Sequence, residues 1–479
     1  MTKTTLLTTI AALLLAVAGT CFAADDDAVV ADVPAADDAV VADVPAADAS
    51  TPAAAEDSFL DPDLTGPADD EDADVDPFES TFRYLKAKYG TETLTDDWFG
   101  YGEKLGDYGV EVSLAFTQMW QINARGGLAT HRHSGRWAAN YDLYAEFDLE
   151  KILSLKGGLM YVLVEGSWSN RLDRTSIGSA VGNINNNTTG GEEAIYVSEL
   201  WYQQSFFNNM VNVRLGKVDL TSGFETQQFS LGFDQNAFAF DETSQFMNSA
   251  LNTNPTIPFP NQGLGVMVLF RPTKLFFVAA GVADAQGDQR ETGFNTAFHD
   301  EDYFFAIFET GLTPVIDSAN GLMPGAYRVG FWYDPQDKPR LNGSGAKHDD
   351  MGFYLSFDQV VFKENVYLKD EQGLGVFARY GFADSDVNAI KCFWSAGAQY
   401  EGLVPTRDED VFAFAFAQGK VDSDAGYNKE LETIMEIYYN AQLTPWFNLT
   451  PSMQYIWDPG AVHGVGDAIV LGVRMQMFF

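Results

Sequence analysis

The chain has 479 residues, 46% of them hydrophobic and 14% aromatic, with 2 cysteines and a formal net charge of −39 at pH 7. That acidic balance argues against a nucleic-acid partner, because phosphate binding needs a basic footprint on the protein. Past residue 23 no stretch reaches the ~18 consecutive apolar residues of a membrane helix, so a helical membrane protein is excluded.

Residues 1–23 carry Lys3, an apolar run over 6–17 and small residues up to Ala23, the layout of a secretory signal peptide. Residues 24–79 follow as an Asp, Ala and Pro-rich tract in which DDAVVADVPAA at 26–36 recurs unchanged at 37–47. This tract holds 19 acids and no Lys or Arg. Removing them, and Lys3, from the totals of 68 acids and 29 bases leaves about −21 on the rest of the chain. So little apolar area cannot offset the entropy of ordering, so 24–79 is predicted to be a disordered acidic linker. Residues 80–109 are predicted to form a short helix or plug, helical over 81–104 and ending in the Gly-rich WFGYGEKLGDYG.

From residue 110 to 479 alternation takes over. Val110, Val112, Leu114, Phe116, Trp120 and Ile122 share one parity, while Glu111, Ser113, Ala115, Thr117, Gln121 and Asn123 share the other. At the far end Ile469, Leu471, Val473, Met475, Met477 and Phe479 oppose Arg474 and Gln476. A dyad repeat of ~9–11 residues crosses a bilayer when tilted, with one side against lipid and the other against a wet lumen. The lipid-facing and lumen-facing sets average out, which accounts for a mean hydropathy near zero at −0.13. Strand centres fall near 116, 144, 163, 199, 214, 267, 278, 306, 329, 354, 378, 396, 414, 437, 452 and 474. The fold class is therefore all-β, a transmembrane antiparallel β-barrel of about sixteen strands.

Connection lengths alternate as such a barrel requires, with short turns such as SFFNN, RPTK and TPW between longer loops. Segments 311–324 and 360–372 are long for turns and are read as strand extensions or as folding under the barrel. The connection 219–262 is the longest and holds Asp219, Glu225, Asp234, Asp241 and Glu242 with no Lys or Arg. A loop of that length is expected to fold inward and narrow the passage. Arg214, Arg328, Arg379 and Arg474, all on the polar parity of their strands, would oppose it and set up a transverse field.

A set of local patterns resembles the OprB type of carbohydrate-selective porin over residues 98–479. It comprises the segment 98–110, RLGK at 214–217, PGAYRVGFWY at 324–333, FDQ at 357–359 and GLVPTRDED at 402–410. ELETIMEIYYNAQLTPWFNLTPSMQYIWDPG at 430–460 and the terminal LGVRMQMFF complete it. The resemblance implies a sixteen-stranded outer-membrane channel that admits sugars by diffusion. The acidic repeat has no counterpart in that pattern.

A sugar presents hydroxyls that donate and accept together with apolar ring faces, so a selective passage needs charged hydrogen-bonding groups and aromatics side by side. The polar parity offers Arg214, Arg328, Arg379 and Arg474 as donors, Asp142, Glu146, Glu432 and Glu436 as acceptors, and Tyr144, Trp332, Tyr354 and Tyr438 as stacking surfaces. Glu432 and Glu436 share one strand face, and pairing with wall arginines is the plainer alternative for both. Arg407, with Asp408 and Asp410, reads as a salt-bridged turn, and Trp98, Trp446 and Trp457 as interfacial belt residues. The five histidines, His131, His133, His299, His348 and His463, fall in loops without a catalytic or metal-binding arrangement, so neither enzyme chemistry nor a cofactor is expected.

The leading reading is a porin in the outer membrane of a Gram-negative-type bacterium, passing sugars and other small solutes. Its partners would be those solutes and outer-membrane lipid, and a homo-oligomer is compatible with the pattern. A general or cation-preferring porin, or a barrel that anchors a cell-wall-binding acidic arm, are the competing readings.

Overall fold

The computed structural model describes residues 93–129, 135–168, 172–185, 194–225, 246–291, 293–298, 303–319, 321–364 and 372–479. The leader, the acidic repeat and the predicted helix up to residue 92 lie outside the described residues.

Sixteen antiparallel strands form a closed ring. They are β1 (Val110–Gly127), β2 (Gly135–Asp148), β3 (Gly158–Trp168), β4 (Ala194–Phe206), β5 (Val211–Val218), β6 (Gly263–Thr273), β7 (Phe276–Asp284) and β8 (Phe304–Leu312). The second half comprises β9 (Gly321–Asp334), β10 (Asp350–Lys363), β11 (Gly373–Ala383), β12 (Ile390–Glu401), β13 (Val411–Val421), β14 (Leu431–Thr444), β15 (Phe447–Trp457) and β16 (Gly466–Phe478).

Each strand pairs with its sequence neighbour, and the ring shuts where β1 meets β16 in a register running from Ala115↔Phe478 to Ile122↔Leu471. Closure is forced by the solvent: hydrocarbon offers no partner to a free N–H or C=O, so a sheet in a membrane cannot keep an edge. Among the described residues no helix is long and apolar enough to cross a membrane.

One end of the barrel carries compact turns, such as 207–210, 274–275 and 445–446; the other carries the long connections 169–193, 219–262 and 285–303. The turn from β2 to β3 contains a single helical turn, Leu149–Leu153, capped by Asp148, whose Oδ1 accepts from Glu150 N at 2.9 Å and Lys151 N at 3.2 Å. The segment 311–324 prolongs a hairpin, because Val315–Ser318 pairs with residues 321–324 at the base of β9. Ahead of β1, Leu94 N donates to Phe478 O at 2.9 Å and Trp98 Nε1 to Val112 O at 3.0 Å, fastening the N-terminal segment beneath the β1–β16 seam. Its helical residues are Asp96–Gly100, irregular and left-handed at Asp97, Trp98 and Phe99, and Gly102–Asp107.

Burial follows parity along the strands. In β14, Glu432, Ile434, Glu436, Tyr438 and Asn440 are buried, while their odd-numbered neighbours remain partly accessible. Outward rings meet one another across the wall: Phe414 with Phe416 at 4.9 Å, Phe416 with Trp457 at 6.3 Å, and Phe353 with Phe382 at 5.7 Å. Trp457 therefore sits among outward-facing rings at the end of β15, in keeping with a lipid-exposed aromatic surface.

Candidate functional site

The twelve strand residues singled out by parity are all buried on the inner side: Asp142, Tyr144 and Glu146 on β2, Arg214 on β5, Arg328 and Trp332 on β9, Tyr354 on β10, Arg379 on β11, Glu432, Glu436 and Tyr438 on β14, and Arg474 on β16. Ten of them fall into three groups, each with its own surroundings, and Asp142 and Glu146 flank Tyr144 on β2.

The first group lies where the connection 219–262 meets β8 to β11. Arg379 donates through Nη1 to Asn252 O at 2.8 Å and through Nη2 to Leu251 O at 2.9 Å, so it holds the carbonyl end of the short helix Ser249–Asn252. Its guanidinium also stands 3.8 Å from Glu225 Oε1. Arg328 donates to Asp358 Oδ2 on the adjacent β10 at 2.7 Å. Tyr354 OH and Glu225 N both donate to Glu309 Oε2, each at 2.7 Å. Arg328 Nε and Nη2, Trp332 Nε1, Glu309 Oε1 and Asn254 Nδ2 are buried polar atoms without a hydrogen-bond partner in the protein. Buried orphan donors and acceptors are costly, and their clustering marks this contact between segment and wall as polar and incompletely paired.

The second group forms a transverse row across β2 to β5. Tyr144 and Tyr161 rings lie 6.4 Å apart, Tyr161 stacks on Trp201 at 4.8 Å, and the Arg214 guanidinium covers Trp201 at 3.8 Å. Trp201 Nε1 donates to Glu199 Oε2 at 2.8 Å, and Arg214 reaches Gln203 Oε1 at 3.5 Å. Inward rings, a cation over their outer face and amide and carboxylate groups at their edges thus share one arc of the wall.

The third group underlies two segments that fold against the inner wall, 172–185 and 246–259. Glu432 Oε1 accepts from Ser179 Oγ at 2.5 Å and Val181 N at 3.1 Å; its Oε2 accepts from Ala180 N at 2.9 Å and Gly460 N at 2.5 Å. Glu436 accepts from Met247 N and Asn248 N, both at 2.8 Å. Tyr438 accepts from Gln399 Nε2 at 2.6 Å and lies beneath Phe246, ring to ring at 5.0 Å. Arg474 is fully buried on the inner face of β16.

In the connection 219–262, Asp219 fastens the two ends together: it caps Leu220–Ser222 through Thr221 N at 2.8 Å and accepts from Gln262 Nε2 at 2.9 Å. Asp234, Asp241 and Glu242 lie outside the described residues, as do His131, His133 and His299. In the segment 172–185, burial and the neighbouring Glu432 charge push the Asp173 carboxyl up to about 7.

Parity reasoning passed over Glu309, Asp358, Tyr161 and Trp201. Each had a signal: Glu309 is the one acid in FFAIFETGL, Asp358 lies in the FDQ motif, and Trp201 shares its parity with Glu199 and Gln203. The flagged Arg407 forms a bidentate pair with Asp410, Nε at 2.8 Å and Nη2 at 2.6 Å, and Nη2 also donates to Gln442 O at 2.9 Å, which ties the turn 402–410 to β14.

A closed barrel with an apolar exterior and a charged, hydrogen-bonding interior is the architecture of an outer-membrane porin. The sequence profile of the carbohydrate-selective porin, OprB family matches residues 132–479, and the chain belongs to that family. Porin B of Pseudomonas aeruginosa is 24% identical over 426 residues, covering 81% of this chain and 91% of that protein. The structure of OprB from Pseudomonas putida at high pH superposes with a TM-score of 0.68 at 20% identity, covering 81% of this chain and 98% of that one; the low-pH structure gives 0.53 at 19%. The fold and these relatives place the chain in the outer membrane of a Gram-negative-type envelope.

Proposed function

We propose that this porin passes sugars and other small solutes by diffusion, through a lumen narrowed by the inward-folded segments of 219–262, with 172–185 beside them. The first two groups above would contact the solute. Arg328, Trp332, Tyr354, Arg379 and Glu225, with Glu309, would exchange hydrogen bonds with hydroxyls; Tyr144 and the edge of the Trp201–Arg214 stack, with Asp142 and Glu146 on the same arc, would take the apolar ring surface and remaining hydroxyls.

The observation that carries this reading is the concentration of hydrogen-bonding side chains, Arg328, Tyr354, Arg379, Glu225 and Glu309, where the inward segment meets the wall. A passage walled by such groups holds water, and a polyhydroxylated solute can replace that water with little loss, whereas an apolar solute cannot. The family's description as carbohydrate-selective supports the same class of solute.

Purified protein in a planar bilayer should give steady conductance that glucose partly blocks. A silent bilayer overturns the porin reading; conductance that no sugar alters overturns the solute class. The second outcome, combined with a cation-selective reversal potential, would favour the general porin suggested by an acidic body of about −21.

A further inference from the structure

We propose that Glu432 and Glu436 are positioning residues: each holds one inward segment against β14, and neither binds the solute. This rests on the channel reading above and assigns the parts that shape its passage.

A carboxylate has two oxygens and about four lone-pair sites. All four sites of Glu432 are occupied, two donors on each oxygen, from Ser179, Val181, Ala180 and Gly460. Nothing is left to accept a sugar hydroxyl. Three of these donors are backbone N–H groups, so the contact recognises a loop conformation and not one side chain. Gly460 belongs to the connection between β15 and β16, so this one carboxylate joins the segment 172–185 to a second connection as well as to the wall. Glu436, two inward positions further along β14, takes the N–H groups of Met247 and Asn248, directly ahead of the helix Ser249–Asn252. Charge-assisted bonds of this kind are roughly twice as strong as neutral ones.

The neighbouring contacts have the same purpose. Gln121 Nε2 and Gln454 Nε2 both donate to Ile184 O at 2.7 Å, and Asn248 Nδ2 donates to Gln454 Oε1 at 3.0 Å. The two segments also bond to each other: Ser249 N donates to Asn183 O at 2.9 Å, and Asn183 N to Ser249 Oγ at 2.8 Å. They form one inner layer, and the two glutamates are its charged attachments to the wall.

The test is single-channel recording of Glu432→Gln and Glu436→Gln with glucose as the blocking probe. An amide keeps the side chain's shape but loses the charge and supplies N–H groups where N–H donors already converge, so the undocked population should rise by ~10–100-fold. Conductance should then flicker to levels about twofold higher as the ionic path widens. A disulfide provides the control against general damage. A Cβ at Gly419 would lie 3.3 Å from Val181 Cβ, within reach of a cross-link after modest adjustment. In Cys392→Ala protein, Glu432→Gln combined with Gly419→Cys and Val181→Cys should return to the parent conductance on oxidation and lose it on reduction. Unchanged conductance with lost glucose block would make the glutamates solute ligands and overturn the proposal. Unchanged conductance with unchanged block would also overturn it. A silent parent protein would instead overturn the channel reading, so the two failures are distinguishable.

Discussion

Two arcs of the same wall use the same alternation to different ends. Along β13 the inward positions are small: Ala413, Ala415 and Ala417, joined by Ala468 near the start of β16, pack with Leu172, Ile177, Val181, Phe246, Ala250 and Leu251 of the inward segments, while β14 reaches the same segments through Glu432, Glu436 and Tyr438. On β2 to β5 the inward positions are large, with Tyr144, Tyr161 and Trp201 in a row under Arg214. Parity decides which side a residue faces; volume decides whether the wall itself or a second layer occupies the lumen there. One arc is a docking surface for loops, and the other carries its bulk in its own side chains. Inward glycines mark where docking is closest. A Cβ on Gly419 would press on Val181 at 2.5 Å, one on Gly281 on Phe224 at 2.7 Å, and one on Gly381 on Thr256 Oγ1 at 2.1 Å.

The strongest way to break this comparison is to fill one of those contacts. Gly381→Val places two methyl groups beyond a Cβ that already meets Thr256 Oγ1 at 2.1 Å and Asn254 Nδ2 at 2.4 Å. Overpacking of this kind costs ~1–3 kcal/mol where neighbours can shift, and a segment held by hydrogen bonds can shift by leaving. The expected result is a folded barrel with raised conductance and most of its glucose block gone. Gly466→Ala is the control, since nothing lies within 4 Å of a Cβ there. Wild-type conductance and block in the Gly381 variant would show that residues 246–259 do not shape the passage.

This division also explains how far the sequence could be read. All sixteen strand centres were legible because two solvents, lipid and water, impose a period of two on every crossing. Even the FFAIFETGL strand is readable this way, with Phe304, Ala306 and Phe308 outward and Glu309 inward. The inner face of Glu432 or Arg379 was legible for the same reason. What either residue touches was not, because parity carries no information about a segment 127 to 253 positions away that returns to cover it. Glu432 and Arg328 look alike along the chain, yet one carboxylate is saturated by loop N–H groups and the other side chain keeps two nitrogens unpartnered. The missing signal was volume: Gly381, Gly419 and the alanines of β13 sit on the lumen parity, where a bare porin wall would carry larger polar groups.

A smaller effect should appear in the pH dependence of the docked arc. Asp173 starts the helical turn Asp173–Ile177, its Oδ1 is buried without a hydrogen-bond partner, and Glu432 lies close by; Arg174, the adjacent charge, is exposed. With the docked carboxyl at about 7 against an ordinary 3.8, the docked segment binds more protons than the released one between those values. Its attachment is therefore strongest below the ordinary value, weakens as pH rises through the interval, and reaches its minimum above about 7. Conductance fluctuations should increase from acid to neutral pH and level off above it. Asp173→Asn should remove that dependence while leaving the acid-side behaviour of the parent; a variant that keeps the full pH response would assign it elsewhere.

The smallest effect is expected on the aromatic arc, where the change is confined to one ring. Trp201→Phe keeps a ring against Tyr161, removes the indole N–H that Glu199 accepts at 2.8 Å, and reduces the surface beneath Arg214. One aromatic pair or one cation–π contact is worth ~0.5–1.5 kcal/mol, so glucose block should weaken by about 2–10-fold. Conductance should stay near that of the parent, because the ring occupies much the same volume and the inner layer on the other arc remains attached. Block and conductance would then separate by arc: substitutions at Gly381 or Glu432 move both, and a substitution at Trp201 moves block alone. A Trp201 variant whose conductance rises as much as that of Gly381→Val would mean that the two arcs share one packing unit and that side-chain volume does not divide their roles.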